Sequence, residues 1–134
     1  MDALTRLEEI GFRRVGSWKA EAGTPAIALG NAEALQSDLL YAFVSSREVL
    51  YVGKTRMPLG KRMYGYQRPG PSQRTNLACN ARIRDWLTAG RSLDVYTRCE
   101  DGVSQVGSFR VSQAAALEDA IIRELRPPWN SLGK

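Results

Sequence analysis

The chain has 134 residues and carries 19 Lys and Arg against 14 Asp and Glu, a net charge of +5. That length supports one domain with a real core rather than two. His is absent, and Cys79 and Cys99 form no Cys-x-x-Cys pair, which argues against structural zinc and leaves oxygen ligands for any metal.

The opening MDALTRLEEI is acidic and amphipathic, unlike a secretory leader, and no apolar run reaches membrane-spanning length. A cytoplasmic protein with both cysteines as thiols is expected. Residues 1–38 hold four basic and six acidic side chains, leaving fifteen basic against eight acidic in residues 39–134. The positive field therefore belongs to the second part, and a polyanion, nucleic acid first among them, is the expected partner.

Asp2 to Ile10 reads as a short helix capped by Asp2 and closed at Gly11, with Leu4, Leu7 and Ile10 at helical spacing. Phe12 to Leu29 holds a strand pair with a Gly-Thr-Pro turn. LLYAFVSSREVLYVGKT, residues 39–55, reads as a hairpin with a tyrosine in each strand. MPLGKRMYGY is a helix started by Pro58, and RPGPSQRTN is a turn-rich loop. A helix follows from Asn76 to Thr88, then a strand in RSLDVYTRC with Leu93, Val95 and Thr97 on one face. An Asp101-Gly102 turn leads to the final helix, SQAAALEDAIIREL, which Pro127 and Pro128 end. From residue 39 the order is β-β-α-α-β-α. This predicts an α+β domain, residues 39–134, with a small antiparallel three-stranded sheet flanked by helices, and residues 1–38 as an N-terminal extension packed on it.

Two charges fall on stripes that should be apolar. In the last helix Ala114, Ile121, Ile122 and Leu125 share a face with Glu118, while Asp119, Arg123 and Glu124 point outward. In the earlier helix Leu59, Met63 and Tyr66 share a face with Arg62. A half-buried charge needs a partner. Either Glu118 and Arg62 pair with each other, or they line a wet cleft for a metal and a phosphate. The hairpin adds a register condition: Tyr41 and Tyr51 share a face only if facing residue numbers sum to an even value. An odd loop such as Ser45-Ser46-Arg47 gives that, and a two-residue turn does not.

In chain order these residues are Tyr41, the triplet Tyr51-Val52-Gly53, Arg62 with Tyr66 four residues later, and LEDAIIRELRPPWN, which runs from Leu117 through Glu118 to Asn130. Over residues 39–130 this resembles the GIY-YIG nuclease superfamily, with Leu39-Leu40-Tyr41 standing for the first triplet and keeping only its tyrosine. The resemblance implies a metal-dependent endonuclease that hydrolyses DNA phosphodiesters. Glu118 would hold one divalent ion, Mg²⁺ or Mn²⁺, and Arg62 would contact the scissile phosphate. Tyr41 would act as base or water-orienting group, with its phenolate favoured by the metal, Arg62 or Lys54. Tyr51 and Tyr66 would orient water or phosphate, and Asn130 would fix Glu118 or a neighbouring loop.

The loop and the helix after it supply candidates for substrate grip: Arg68 and Arg74 with Arg82 and Arg84 for phosphates, and Gln73, Thr75 and Asn76 for base edges. The alternative for these is an ordinary solvated loop and helix cap. Two other functions fit the same residues: a nucleic-acid-binding module that does not cleave, or a nuclease for RNA or single strands. A homodimer or a protein partner would supply specificity that so small a domain lacks.

Overall fold

Asp2 opens the chain as its sequence predicts. Its carboxylate accepts the Thr5 N–H at 2.8 Å and caps helix α1 (Ala3–Glu9), and Arg47 from a distant turn holds the same carboxylate at 2.7 Å. The structure is a computed structural model that describes residues 1–100 and 102–131. After α1 come β1 (Arg13–Glu21), β2 (Thr24–Leu29), α2 (Asn31–Leu35), β3 (Leu39–Ser45), β4 (Glu48–Thr55), α3 (Leu59–Gln67) and α4 (Arg74–Thr88). They are followed by β5 (Leu93–Cys99), β6 (Val103–Val106), β7 (Phe109–Ser112), α5 (Gln113–Leu125) and a 3₁₀ turn, Pro128–Ser131.

The α+β class holds, but the sheet has five strands, not three, in the order β2-β1-β5-β3-β4. The predicted strands β3, β4 and β5 make one end of it, and β1 and β2 from the extension make the other. Their sheet membership was hidden because they sit at the other rim: of β1 only Trp18 is buried, so no alternation marks the strand. The tight turn of that pair lies at Ala22 and Gly23, both at positive φ, just before the expected Gly-Thr-Pro. Helix α2 and the β6–β7 ribbon were not predicted either. Both are short, and the ribbon exposes Val106 and Phe109 instead of burying a face. Of the expected Asp101-Gly102 turn, Asp101 lies outside the described residues. None of the described helices is long and apolar enough to cross a membrane.

Helices cover both faces of the sheet, and this is why β3 is buried at every position and apolar up to its last residue, Ser45. Leu39, Tyr41 and Phe43 pack on Leu59, Met63, Tyr66 and Ile83 of α3 and α4. Leu40, Ala42 and Val44 pack with Leu4, Leu7, Ala114 and Ile121 of α1 and α5 on the other side. Strand β4 is a sheet edge, with helices on either side of it.

The β3–β4 hairpin meets the parity condition by a route the sequence did not reveal. Its turn has two residues, Ser46 and Arg47, both in the left-handed region at φ +47 and +68 without the usual Asn-Gly. Near the turn Val44 faces Val49, but beyond it Phe43 faces Tyr51 and Tyr41 faces Gly53. A bulge thus inserts Leu50 as the unpaired residue and shifts every later residue of β4 by one. The shift returns Tyr51 to the face of Tyr41, one diagonal step away rather than directly opposite.

Candidate active site

What stands opposite Tyr41 is Gly53. A Cβ at that position would meet the Tyr41 ring Cζ and hydroxyl at 2.5 Å, so the phenol lies flat across the backbone of β4 only because residue 53 has no side chain. Tyr41 and Tyr66 are almost wholly buried, and their hydroxyls meet at 2.5 Å. Tyr66 donates onward to Tyr51 at 3.4 Å. Since each hydroxyl has one hydrogen, Tyr41 must then donate to Tyr66, and the hydrogen of Tyr51 is left unspent. Tyr51 is half-buried, so this open end of the chain faces the surface.

Arg62 lies over this chain. Its Nε donates to Tyr41 at 3.2 Å, Nη2 to Tyr66 at 2.6 Å and Nη1 to Asn76 Oδ1 at 3.1 Å, with the guanidinium carbon 4.2 Å from the centre of the Tyr66 ring. The i, i+4 spacing of Arg62 and Tyr66 on α3 puts both on one face. Burial pushes the phenols of Tyr41 and Tyr66 well above their ordinary value, more strongly than the charge of Arg62 lowers them. Arg62 does favour a Tyr41 phenolate, as expected of it, but burial outweighs that pull.

Glu118 does not pair with Arg62. It sits half-buried on α5, whose Ala114 and Ile121 pack on the Leu40, Ala42 and Val44 face of the sheet, and has no hydrogen bond or ion pair among the described residues. Burial raises its carboxyl above the usual range, and Lys54 lowers it in part. Lys54 belongs to this side too. Alternation after the bulge puts Tyr51 and Gly53 on one face of β4 and Val52 and Lys54 on the other, so Lys54 cannot serve Tyr41. The candidate site is thus two half-sites separated by the edge strand. Tyr51 senses both, because its phenol is raised first by burial and feels Arg62 from one side and Glu118 from the other.

Asn130 holds that edge. Its Oδ1 accepts the Val52 N–H at 2.9 Å and its Nδ2 donates to the Val52 carbonyl at 2.8 Å, the pairing a sixth strand would make. It touches neither Glu118 nor a phenol, and fixes the strand between them.

Of the grip residues, Arg68, Arg74, Thr75, Arg82 and Arg84 are exposed. Gln73 is exposed too and Asn76 is half-buried, but both spend polar groups inside the protein. Gln73 Oε1 accepts from Gly70 N–H at 2.8 Å and from Asn76 Nδ2 at 3.1 Å, and Asn76 accepts from Arg62. Asn80, which the sequence did not single out, donates to the carbonyls of Tyr66 at 2.8 Å and Gln67 at 3.3 Å and anchors the start of the loop. Its place one turn after Asn76 on the same helix face was the available signal. Also missed was a pocket of about 340 Å³ beside Lys54, lined by Arg56, Arg110, Asp38 and Glu100. Those residues come from four separate segments and share no spacing.

The candidate site thus gathers an arginine with free N–H groups, hydrogen-bonded tyrosines and a carboxylate without a hydrogen bond or ion pair among the described residues. The solved structures agree on the fold. Bacteriophage T4 EndoII, in a mutant form, superposes with a TM-score of 0.74 over 97% of this chain and 99% of its own at 20% identity. The restriction endonuclease HPY188I, solved with product DNA, gives 0.54 over 90% and 76% at 17% identity. The sequence matches no protein-family model and no curated protein. The chain has a GIY-YIG-like nuclease fold.

Proposed function

We propose that this protein is a divalent-metal-dependent endonuclease that hydrolyses phosphodiester bonds in DNA. The observation that carries the proposal is Arg62, held by three side-chain acceptors with unspent N–H groups beside the open end of the Tyr41–Tyr66–Tyr51 chain. Such a fork takes two oxygens of one phosphate and keeps its charge as negative charge builds on phosphorus. The likeness to two endonucleases, one of them bound to DNA, supports the same reading.

The residues present fit a divalent ion. Glu118 is a carboxylate with burial against it and no protein partner among the described residues, and no cluster of three acidic, Cys or His groups forms there. One carboxylate suits Mg²⁺ or Mn²⁺, which complete their shell with water and phosphate oxygens. When bound, such an ion neutralises charge on the phosphate and makes a water more acidic.

The chain's own groups then do the following. Arg62 binds and orients the scissile phosphate. Tyr51 uses its unspent hydrogen to orient a phosphate oxygen or the attacking water. Tyr41 and Tyr66 hold Arg62 and keep water out from beneath it. The exposed arginines grip the strand on either side, and a second copy or a protein partner adds specificity.

The test is cleavage of supercoiled plasmid, single-stranded DNA and RNA with Mg²⁺, Mn²⁺ or EDTA. Metal-dependent nicking of plasmid is expected. Binding to all three without cleavage of any would replace the enzyme with a binding module, and cleavage of RNA alone would move the substrate.

A further inference from the structure

A guanidinium has five N–H donors in one plane. Arg62 spends three of them inside the protein, on Tyr41, Tyr66 and Asn76, which leaves one on each η nitrogen. The two tyrosine hydroxyls lie side by side and take Nε and Nη2, so they hold only one edge of the group. Asn76 holds Nη1, and without it the fork is fixed only along that edge and by its stacking on the Tyr66 ring.

Asn76 is itself held. Its Nδ2 donates to Gln73 Oε1, and that oxygen also accepts the Gly70 N–H, so a continuous chain runs from Gly70 through Gln73 and Asn76 to Arg62. Gly70 and Gln73 lie in the loop that carries Arg68 and leads into Arg74. Reading a base edge in the bidentate way takes both the acceptor and a donor of an amide. One lone pair of the Asn76 acceptor and one of its two donors are already engaged inside the protein.

We propose that Asn76 is a positioning residue that aims Arg62, and that through Gln73 it ties the aim of Arg62 to the conformation of the loop at residues 68–73. A strand that settles on Arg68 and Arg74 thereby sets the group that meets the scissile phosphate. This rests on the nuclease reading.

The test compares wild type, Asn76→Ala, Gln73→Ala, Arg62→Ala and the Asn76→Ala/Arg62→Ala pair. For Asn76→Ala, kcat should fall about 10- to 100-fold, as misplacement of a binding group does, with KM changed by less than about 3-fold. Added to Arg62→Ala, the same change should cost less than about 2-fold, because the group it acts through is gone. Gln73→Ala should lower kcat in the same direction by less. A rise in KM with kcat intact, or an undiminished loss in the Arg62→Ala background, would overturn the proposal.

A second measurement needs no cleavage. In wild type the two η nitrogens of Arg62 should give separate, slowly exchanging NMR signals, and in Asn76→Ala those signals should merge. If they merge while no nucleic acid is cut, the nuclease reading fails and the positioning role stands. Signals that stay separate in Asn76→Ala would sink the positioning role.

Discussion

The two sides of strand β4 solve opposite problems. On the tyrosine side the buried groups are answered within the protein: Arg62 has three acceptors, and Tyr41 and Tyr66 are bonded to it and to each other. On the other side Glu118 carries the cost of burial with only the field of Lys54 in return. The first half-site is preorganised, so its groups need no rearrangement when charge develops. The second is built around a carboxylate that a cation would satisfy.

The largest test of that contrast is a pair of substitutions. Glu118→Ala should abolish metal-dependent cleavage, by about 10³-fold or more, while leaving the melting temperature unchanged or higher, since it removes a poorly solvated charge. Arg62→Ala should cost about 10²- to 10³-fold in cleavage and also lower stability, because it strips three buried or half-buried acceptors of their donor. Plasmid nicking and thermal melting on the same preparations check both. A stability loss in Glu118→Ala as large as in Arg62→Ala would mean that Glu118 has a structural partner and that the contrast is wrong.

The tyrosine side should also fail in alkali. Burial raises Tyr41, Tyr51 and Tyr66 above the ordinary phenol value, so the folded chain keeps protons that the unfolded chain releases near pH 10. The unfolded state then binds fewer protons, and stability falls as pH rises. The stabilisation is whole below about pH 10 and is lost above it, at roughly 1.4 kcal/mol per pH unit for each fully buried phenol. Urea melts between pH 8 and 11 should steepen past pH 10, and ultraviolet absorbance should show those phenols ionising together with unfolding. Ionisation of all five tyrosines in the folded protein would contradict the burial of the chain.

Much of this was legible in the sequence because it lies in local spacing. Arg62 and Glu118 declared themselves by falling on apolar helical stripes, and Asp2 by its place before Ala3. What could not be read is whatever depends on contacts between distant segments. The Leu50 bulge is one case: the sequence offers an odd loop or a two-residue turn, and only packing of Tyr51 against Phe43 and Tyr66 selects a turn plus a bulge. The side of β4 on which Glu118 falls is another, since the place of α5 is set by packing against residues of α1, β3 and β4 far from it in sequence. Gln73 and Asn76 looked free for substrate because polar residues in a loop usually are; the bonds of Gln73 are local, and the bond from Arg62 to Asn76 exists only because α3 packs against α4.

Between the half-sites, Gly53→Ala tests whether the phenol needs the bare backbone. A methyl group 2.5 Å from the Tyr41 hydroxyl displaces the ring or the strand. Overpacking of this kind costs about 1–3 kcal/mol, and the displaced hydroxyl would release Nε of Arg62. Both stability and kcat should drop, with KM moving less. A variant with normal melting and full activity would show that Tyr41 has room elsewhere and that Gly53 is present for another reason.

The smallest expected effect, and the sharpest on the edge itself, comes from Asn130. It makes two hydrogen bonds to Val52 and none to any group placed at the chemistry. Loss of two bonds of this kind costs about 1–2 kcal/mol in a partly buried setting. Asn130→Ala should lower the melting temperature by a few degrees on that scale and loosen β4 between Tyr51 and Gly53. Amide exchange reports this directly: the Val52 N–H, protected in wild type only by Asn130, should exchange much faster, while the amides of β3 keep their protection. Because Tyr51 and Lys54 leave opposite faces of the same strand, activity should fall through both half-sites, lowering kcat and raising the Mg²⁺ concentration needed for half-maximal rate. A fall in kcat with the Mg²⁺ requirement unchanged would show that β4 positions the tyrosine side alone and that Glu118 is held by α5 without its help.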